Sequence, residues 1–468
     1  MLELKILPYP LEEVKIINRV QKFLPPTDMD SLWEEGTVLT PISSSKGKIK
    51  KLLFILPKDA QVKIKYNFFP VLKELIAKMN QVEQFIFIYR GYELDLDKDF
   101  DAWLKAHPRV KLETIKNEEG ELAPDSELSI WAQDHFYTLK ALSKNASHPQ
   151  IYGMIGNLDS NFRFALERVV ANRFPSTDPA PFKLKKTGLP FEGGNILVGE
   201  NFILVGEQDW YPDAYKKWFG KAPIFVHTST PPPRQATHLS KDNMNNTFPV
   251  FPTDSIRGVQ PLFHLDLFLT LVGYNSTKTS YTLVVGQPEL GVEHIKHLDH
   301  EFYLFMNQWL TQMQASISSC IEHLKTNFSN ILNVELKIVS IPLVLTYNDK
   351  ITANRQEREW FWATYNNCLV EQDSTSKKVW LPSYGNPITS NYSNKPVPEG
   401  VAAPIQRHLP RESSIQYGDW SFLEKYDKAS QFIWEALGFE VCLLEQNYLP
   451  FARQHGSLNC FSNCIERE

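Results

Sequence analysis

The chain has 468 residues, a formal net charge of -5 at pH 7, and 43% hydrophobic residues. This length suits two or three ordinary domains or one large closed architecture, and the apolar content excludes a disordered chain. The small net charge indicates neither a nucleic acid nor an anionic membrane as a partner, and nothing in the sequence indicates an oligomeric state.

The cysteines and the N-terminus predict the compartment. Five cysteines are spread along the chain without a CxxC pair, which argues against a disulfide framework and a structural zinc site. The first residues contain acids and a Pro8-Tyr9-Pro10 break where a signal peptide needs an apolar run. The longest apolar runs have the length of a strand, not of a membrane span. We therefore expect a soluble protein of the cytoplasm.

Strand and helix patterns alternate along the chain and predict an α/β fold. Residues 1–48 are predicted to be an N-terminal extension packed on the core, ending in a Ser- and Gly-containing stretch. Two segments, 228–254 and 387–414, are rich in Pro and polar residues and are predicted to be loop insertions. The predicted strands are 51–56, 84–89, 204–206, 223–226, 281–285, 334–338, 378–381 and 440–444, and the predicted helices are 66–79, 212–219, 301–326 and 426–437.

Two motifs place a carboxylate beside a predicted strand. Asp134, in the run that starts at Trp131, lies at the entry to a strand, where an acid either projects into a cavity or caps a turn. Glu192 precedes Gly193-Gly194, and two glycines let the backbone approach another group closely. The alternative for Glu192 is a bulge with a solvated acid. The GxGxxG pattern of dinucleotide binding is absent.

A third motif and a late cysteine complete the candidate residues. His264 and Asp266 are two apart in an apolar run, so on an extended backbone they face the same side. The alternative is a satisfied core histidine with a surface aspartate, and a metal site lacks further ligands at a suitable spacing. Cys460 lies eight residues from the C-terminus, after a Gly456-Ser457 turn. It is either a reactive thiol or, as is commoner, a buried apolar residue.

In this order the motifs resemble the guanidino-group modifying (pentein) superfamily, most closely its agmatine deiminase and protein-arginine deiminase branches. The resemblance spans about residues 49–468 and rests on segments 131–134, 192–195, 264–266 and 456–460, with 364–370 similar to a family strand. It implies one catalytic domain, a β/α-propeller of about five ββαβ-type modules around a pseudo-fivefold axis. Gln133 resembles the protein-arginine branch, and Glu192 to Asn195 the agmatine branch.

The resemblance implies a cysteine-dependent deiminase that acts through a covalent thiouronium intermediate. It needs no metal and no cofactor, and its partner is a small cationic guanidine or an arginine side chain. The implied catalytic residues are Cys460 as nucleophile, His264 as acid and base, and Glu192 as its partner, and the implied substrate-binding residues are Asp134, Asp266, Trp131, Asn195 and Asn367.

Several alternatives stay open at this point. An amidinotransferase would share the catalytic residues, and a non-catalytic pentein would bind guanidine without turnover. A cysteine protease or an acyltransferase would use Cys460 and His264, but two carboxylates beside the thiol suit a neutral amide poorly. The long stretch between Asp266 and Cys460 departs from compact agmatine deiminases, so the choice between free and protein-bound arginine is open.

Overall fold

The computed structural model describes most of the chain in separate ranges. These are residues 36–56, 65–89, 98–114, 130–144, 149–155, 183–186, 189, 191–206, 212–226, 238–241, 247–250, 262, 264–298, 300–352, 355–385, 421–446, 448–453 and 456–468. The predicted insertion 387–414 and residues 1–35 of the predicted extension lie outside them.

Strands and helices alternate through these ranges, which confirms the α/β fold class. The described strands are β1 Val38–Pro41, β2 Ile49–Leu56, β3 Gln84–Tyr89, β4 Val110–Thr114, β5 Tyr137–Leu142, β6 Gln150–Ile155, β7 Lys183–Lys186, β8 Ile196–Val198, β9 Phe202–Gly206, β10 Ala222–Val226, β11 His238–Lys241, β12 Thr247–Val250, β13 Leu269–Tyr274, β14 Ser280–Gln287, β15 Glu335–Thr352, β16 Arg355–Thr364, β17 Leu369–Gln372, β18 Lys377–Pro382, β19 Glu440–Leu444 and β20 Ser462–Arg467. The described helices are α1 Lys65–Lys78, α2 Lys98–Ala106, α3 Ala132–His135, α4 Pro212–Phe219, α5 Ile295–Leu298, α6 His300–Asn327, α7 Glu424–Ala436, α8 Leu449–Ala452 and α9 Leu458–Phe461. Not one of them is long and apolar enough to cross a bilayer.

The described strands form five sheets that share a topological unit. Their strand orders are β1-β5-β6-β7, β10-β9-β8, β12-β11-β16-β15-β14-β13, β17-β18-β19 and β20-β2-β3-β4. In each sheet an antiparallel pair is followed by a parallel strand, as in β8, β9 and β10 or in β17, β18 and β19. A parallel neighbour requires a crossover connection, and helices α4 and α7 supply it in these two units.

The unit that contains the C-terminus is built from both ends of the described chain. Strand β20 pairs antiparallel with β2, and β2 pairs parallel with β3 after the crossover through α1. Helix α1 has the predicted apolar face, because Val71, Leu72, Leu75 and Ile76 are fully buried. Burying such side chains contributes about 1.5–3 kcal/mol each. The last residues of the chain are therefore held inside a packed sheet.

The structure corrects three sequence-based predictions. Segment 228–254 is not only loop, because β11 and β12 form an antiparallel hairpin that joins β16. The predicted strand 334–338 continues to Thr352 as β15 and returns as β16. Segment 364–370 is not one strand, because residues 365–367 form a bend between β16 and β17. In the first case pairing with a distant strand decides the local structure more than composition does.

Candidate active site

Cys460 lies on the one-turn helix α9, between a bend at residues 456–457 and β20. Its side chain is 2% exposed. The bend requires Gly456, since a Cβ there would lie 2.4 Å from the Trp131 ring. Trp131 thus supports the backbone that carries the thiol. The turn expected before Cys460 is an irregular segment with no assigned turn, and β20, which follows α9, pairs with β2.

A histidine lies between two carboxylates on one side of the site. The His264 Nε2 is 2.7 Å from Glu192 Oε2, and its Nδ1 is 3.8 Å from Asp134 Oδ1. Short helix α3 carries Asp134, and Glu192 precedes a 3-10 turn at Gly193–Asn195. Gly194 is required here, because a Cβ would lie 2.7 Å from His264 Nδ1. This close approach explains the two glycines of the motif.

His264 and Asp266 are not on a strand, so the extended geometry expected for them is wrong. His264 is extended, but a 3-10 turn at Leu265–Leu267 follows it, and β13 begins two residues later. An apolar run this short does not distinguish a strand from a turn by its periodicity. The turn is closed by two backbone hydrogen bonds, from the Leu267 N–H to the His264 carbonyl and from the Phe268 N–H to the Leu265 carbonyl. Both side chains are nevertheless buried.

Asp266 connects the turn to Cys460 through Asn367. The Asn367 Nδ2 donates to Asp266 Oδ2 at 2.8 Å and to Cys460 Sγ at 3.0 Å. The Cys460 backbone N–H donates to Asn367 Oδ1 at 3.1 Å, and its thiol lies 3.4 Å from Asp266 Oδ2. Asn459 Nδ2 also donates to Asp266 Oδ2, at 3.0 Å. The single oxygen Oδ2 therefore receives several donors.

Two carboxylate oxygens at this site have no hydrogen-bond partner. Asp266 Oδ1 and Asp134 Oδ1 are both buried without a hydrogen bond, and His264 Nδ1 lies 3.8 Å from the Asp134 oxygen. The Asp134 side chain as a whole keeps 27% of its surface exposed, whereas Asp266 is 1% exposed. An unpaired buried acceptor is costly unless a ligand supplies the donor. The two oxygens therefore mark a place for a cationic N–H donor.

Burial and neighbouring charges shift the protonation of the histidine and of Asp134. Burial alone would lower the pKa of His264, but Asp134, Glu192 and Asp266 outweigh it and raise that pKa to about 9. His264 is therefore an imidazolium at neutral pH. Burial raises the pKa of Asp134 despite the opposing charge of His264, with Glu192 and Asp266 adding to the increase.

The same forces act on Asp266 and on the thiol. Burial raises the pKa of Asp266, although His264 and the bonds from Asn459, Cys460 and Asn367 oppose it. Burial, followed by the charges of Asp266 and Asp134, raises the pKa of Cys460 well above its ordinary value, against the bonds from the Ser457 backbone and Asn367. A bound cation would lower both pKa values, since it favours the charged forms.

The structure brings together six of the eight predicted site residues through the contacts above: Cys460, His264, Glu192, Asp134, Asp266 and Asn367. Trp131 lies behind the Gly456 bend, and the Asn195 side chain lies beside Gly206 and Leu265, at the end of β9. Among the described residues, no His, Cys, Asp or Glu cluster is arranged to hold a metal ion.

Sequence reasoning missed Asn459 and did not assign a role to Gln133. Asn459 donates to Asp266, and the two amides contact each other. Both residues adjoin a predicted one, Cys460 and Asp134 respectively. A polar residue next to a candidate catalytic residue is a weak signal, because neighbours on a short helix face different directions.

No protein-family model and no curated protein matches the chain. Several solved structures match the chain. A C. jejuni agmatine deiminase with substrate bound is 14% identical, covering 93% of this chain and 98% of that one at a TM-score of 0.48. An agmatine deiminase of Enterococcus faecalis is 9% identical, with coverages of 92% and 96% and a TM-score of 0.49.

A third structure, a candidate agmatine deiminase, is 12% identical, covers 92% of this chain and 96% of its own, and has a TM-score of 0.50. At this identity the likeness concerns the fold alone. The resemblance predicted from the motifs is thereby confirmed at the level of fold: the chain resembles the guanidino-group modifying (pentein) superfamily.

Proposed function

We propose that the protein is a cysteine-dependent deiminase that hydrolyses the guanidinium group of agmatine or an arginine-like compound in the cytoplasm. The observation that carries this proposal is the pair of unpaired buried oxygens, Asp134 Oδ1 and Asp266 Oδ1, beside Cys460. We further propose that the five described sheets are the blades of a propeller around a pseudo-fivefold axis, formed by residues 49–468 with β1 of the extension paired onto one blade.

In the proposed complex, a guanidinium donates to each of these two oxygens. It is planar and cationic, and its N–H groups form a fork that matches carboxylates. Three carboxylates, Asp134, Glu192 and Asp266, surround the single imidazole of His264, so the site has an excess of negative charge. In the proposed complex Asp134 and Asp266 accept N–H bonds from the substrate, and its central carbon faces Cys460.

The first half-reaction forms a carbon–sulfur bond and breaks a carbon–nitrogen bond. As the cation enters, the Cys460 thiol releases its proton to water, and the thiolate attacks the guanidinium carbon. The His264 imidazolium then gives its proton to one amino group, which departs as ammonia. The product is an S-linked thiouronium cation on Cys460 and a neutral imidazole.

The second half-reaction reverses the roles. Neutral His264 takes a proton from water, and the hydroxide adds to the thiouronium carbon. The carbon–sulfur bond then breaks and the proton of the added hydroxyl passes to the leaving sulfur, which gives a ureido product and restores the Cys460 thiol. Glu192, 2.7 Å from the His264 Nε2, stabilises the imidazolium in both halves, as the third member of a catalytic triad does.

Three other functions use the same site. A protein-arginine deiminase would need an open groove for a peptide, an amidinotransferase would pass the amidine to an amine instead of water, and a binding module would retain the guanidine unchanged. The unpaired oxygens fit the guanidinium in all three, whereas the imidazolium next to the carboxylates favours proton transfer to a leaving amine.

The decisive test measures ureido product and ammonia from agmatine, arginine and an arginine peptide side by side. We expect turnover with at least one of them and complete loss with Cys460→Ala. Cys464→Ala, four residues along in β20, is the matched control and keeps activity. Ammonia release that survives Cys460→Ala would refute the nucleophile, and guanidine binding without turnover in the unmutated protein would refute the enzyme.

A further inference from the structure

The two oxygens of Asp266 differ sharply in their surroundings. Oδ2 receives Asn367 Nδ2 at 2.8 Å and Asn459 Nδ2 at 3.0 Å, and the Cys460 thiol lies 3.4 Å from it. Oδ1 is buried and receives nothing. Asn367 also bonds the thiol and the Cys460 backbone, so its position is explained by the nucleophile. The Asn459 side chain bonds Asp266 and Gln133 and makes no such hydrogen bond to Cys460.

Gln133 adds a third amide to the same oxygen. An ionised carboxylate only accepts hydrogen bonds, so the Gln133 amide presents its nitrogen. In that orientation the nitrogen donates to Asp266 Oδ2 and to the Asn459 carbonyl, each at 3.0 Å, its oxygen accepts from Asn459 Nδ2 at 3.1 Å, and the two amide nitrogens lie 2.7 Å apart. In the opposite orientation Asn459 donates to Gln133 at 2.7 Å, but two oxygens then face each other at Asp266.

We propose that Gln133 and Asn459, the amide pair, are positioning residues that keep Asp266 ionised and reserve its Oδ1 for the guanidinium. The inference rests on the proposed function and adds two residues to it. The pair donates only to Oδ2, so the substrate meets an acceptor whose geometry is already fixed. Each amide is neutral, so it supports the negative charge of Asp266 without cancelling it.

The physical reason is the cost of a buried charge. Burial favours the protonated form of Asp266, and hydrogen bonds from neutral donors favour the ionised form. The other titratable groups facing this region are His264 on the same turn, Asp134 on α3, Cys460 on α9 and Cys368 before β17, with Glu192 behind the imidazole. Of these, only His264 carries positive charge, and Asp134 and Glu192 share it.

The pH dependence of substrate binding tests the amide pair. A protonated Asp266 loses its attraction for a cation, so agmatine binding weakens as the pH falls. Removal of a donor favours protonation, so the weakening begins at a higher pH. Agmatine and arginine are titrated calorimetrically into Cys460→Ala protein over a range of pH. Adding Asn459→Leu should move the acidic limb of the affinity–pH curve, where binding weakens, to a higher pH by about one unit. Adding Asn459→Asp, which places a second carboxyl beside Oδ2, should move it further.

Gln133→Leu repeats the test from the other residue if Asn459→Leu does not fold. Asn463→Leu is the matched control, because this buried amide donates to the backbone of Ala132 and Phe136 and not to Asp266. We expect it to lower the melting temperature without moving the limb. Asp134 titrates in every variant, so the displacement between variants is the measured quantity.

Two results would overturn the inference while leaving the proposed function intact. One is an unmoved limb in folded Asn459→Leu and Gln133→Leu proteins. The other is a loss of agmatine binding in these variants that does not recover as the pH rises, since that indicates lost shape and not protonation. If neither agmatine nor arginine binds the Cys460→Ala protein at any pH, the proposed function fails, and the inference fails with it.

Discussion

Asp266 and Asp427 are both buried carboxylates, 1% and 2% exposed, but their hydrogen bonds differ completely. Asp427, on helix α7, has two donors on each oxygen. Oδ1 accepts from the Tyr365 hydroxyl at 2.7 Å and the Tyr384 N–H at 2.9 Å, and Oδ2 accepts from the Ser383 hydroxyl and the Gly385 N–H, both at 2.8 Å. Asp266 has all its donors on Oδ2 and none on Oδ1.

The difference separates a structural carboxylate from one that we propose binds the substrate. A buried polar group with every bond satisfied rigidifies the fold, and a partly satisfied one is costly in the free protein. Asp427 holds segment 383–385 against Tyr365, close to the bend that carries Asn367. Asp266 instead keeps one oxygen open towards the substrate proposed above. The unfavourable free energy of leaving Oδ1 without a hydrogen bond is removed when a ligand donates to it.

Asp266→Asn should have the largest effect on activity. The amide removes the charge that holds the guanidinium, so we expect kcat/KM for agmatine to fall by roughly 10²–10³-fold. The melting temperature should stay the same or rise, because an unpaired buried charge is removed. Enzyme kinetics and thermal unfolding on the same preparation check both. A large loss of stability would place Asp266 in the same structural class as Asp427.

Asp427→Asn should have the opposite profile. The carboxamide turns an NH₂ group towards two donors and loses charge-assisted bonds, so the unfolding free energy should fall by about 2–4 kcal/mol. Urea unfolding measures this loss. Activity per folded molecule should stay within a few-fold of the unmutated protein. If activity per folded molecule fell as far as with Asp266→Asn, the two carboxylates would not be separable.

The pH dependence of activity distinguishes the candidate site around His264 from the fully hydrogen-bonded Asp427. In the proposed mechanism His264 must be protonated to expel ammonia, and its pKa in the free protein is raised to about 9, so kcat/KM should decline above about pH 9, roughly tenfold per unit. Since that pKa exceeds the ordinary 6.5, the stability it contributes is complete below 6.5 and is lost as the pH rises through about 9.

Glu192→Gln is the control for the alkaline limb. It removes a carboxylate that favours the imidazolium, so the limb should move to lower pH. Asp427→Asn should leave the limb in place, because His264 is not among the groups that act on that carboxylate. If activity declines at the same alkaline pH in Glu192→Gln, the decline belongs to a group other than His264.

The sequence indicates which candidate residues lie together better than it indicates their local backbone. Cys460, His264 and Glu192 were recognised because each stands in a short motif whose order resembles a family. The turn at Leu265–Leu267 and the bend before β17 were read as strand, since two or three residues cannot distinguish these shapes. Asn459 was missed because only the folded chain brings it to Asp266.

The same limit applies to the fold. Helices α1, α4 and α6 were predicted within one residue of their observed ends, because each has a long periodic apolar face. The hairpin of β11 and β12 was not predicted, because its Thr-, Pro- and Asn-rich sequence is typical of loops. Its strands exist through pairing with β16, a contact more than a hundred residues away that local composition does not encode.

Tyr384→Phe should have the smallest effect, and it probes the link between the two regions. The Tyr384 hydroxyl bonds the Thr364 carbonyl at 2.9 Å and the Ser457 hydroxyl at 3.0 Å, so it connects the Asp427 segment to the bend before Cys460. Its loss should lower kcat by about fivefold and stability by about 1 kcal/mol, with KM unchanged, since the thiol shifts and the guanidinium-binding carboxylates do not. Tyr365→Phe is the matched variant, because it also removes a tyrosine hydroxyl, which bonds Asp427 alone. Steady-state kinetics should show a lower kcat in Tyr384→Phe and an unchanged one in Tyr365→Phe. Equal kcat losses in both would mean that Asp427 positions the nucleophile as directly as Tyr384 does.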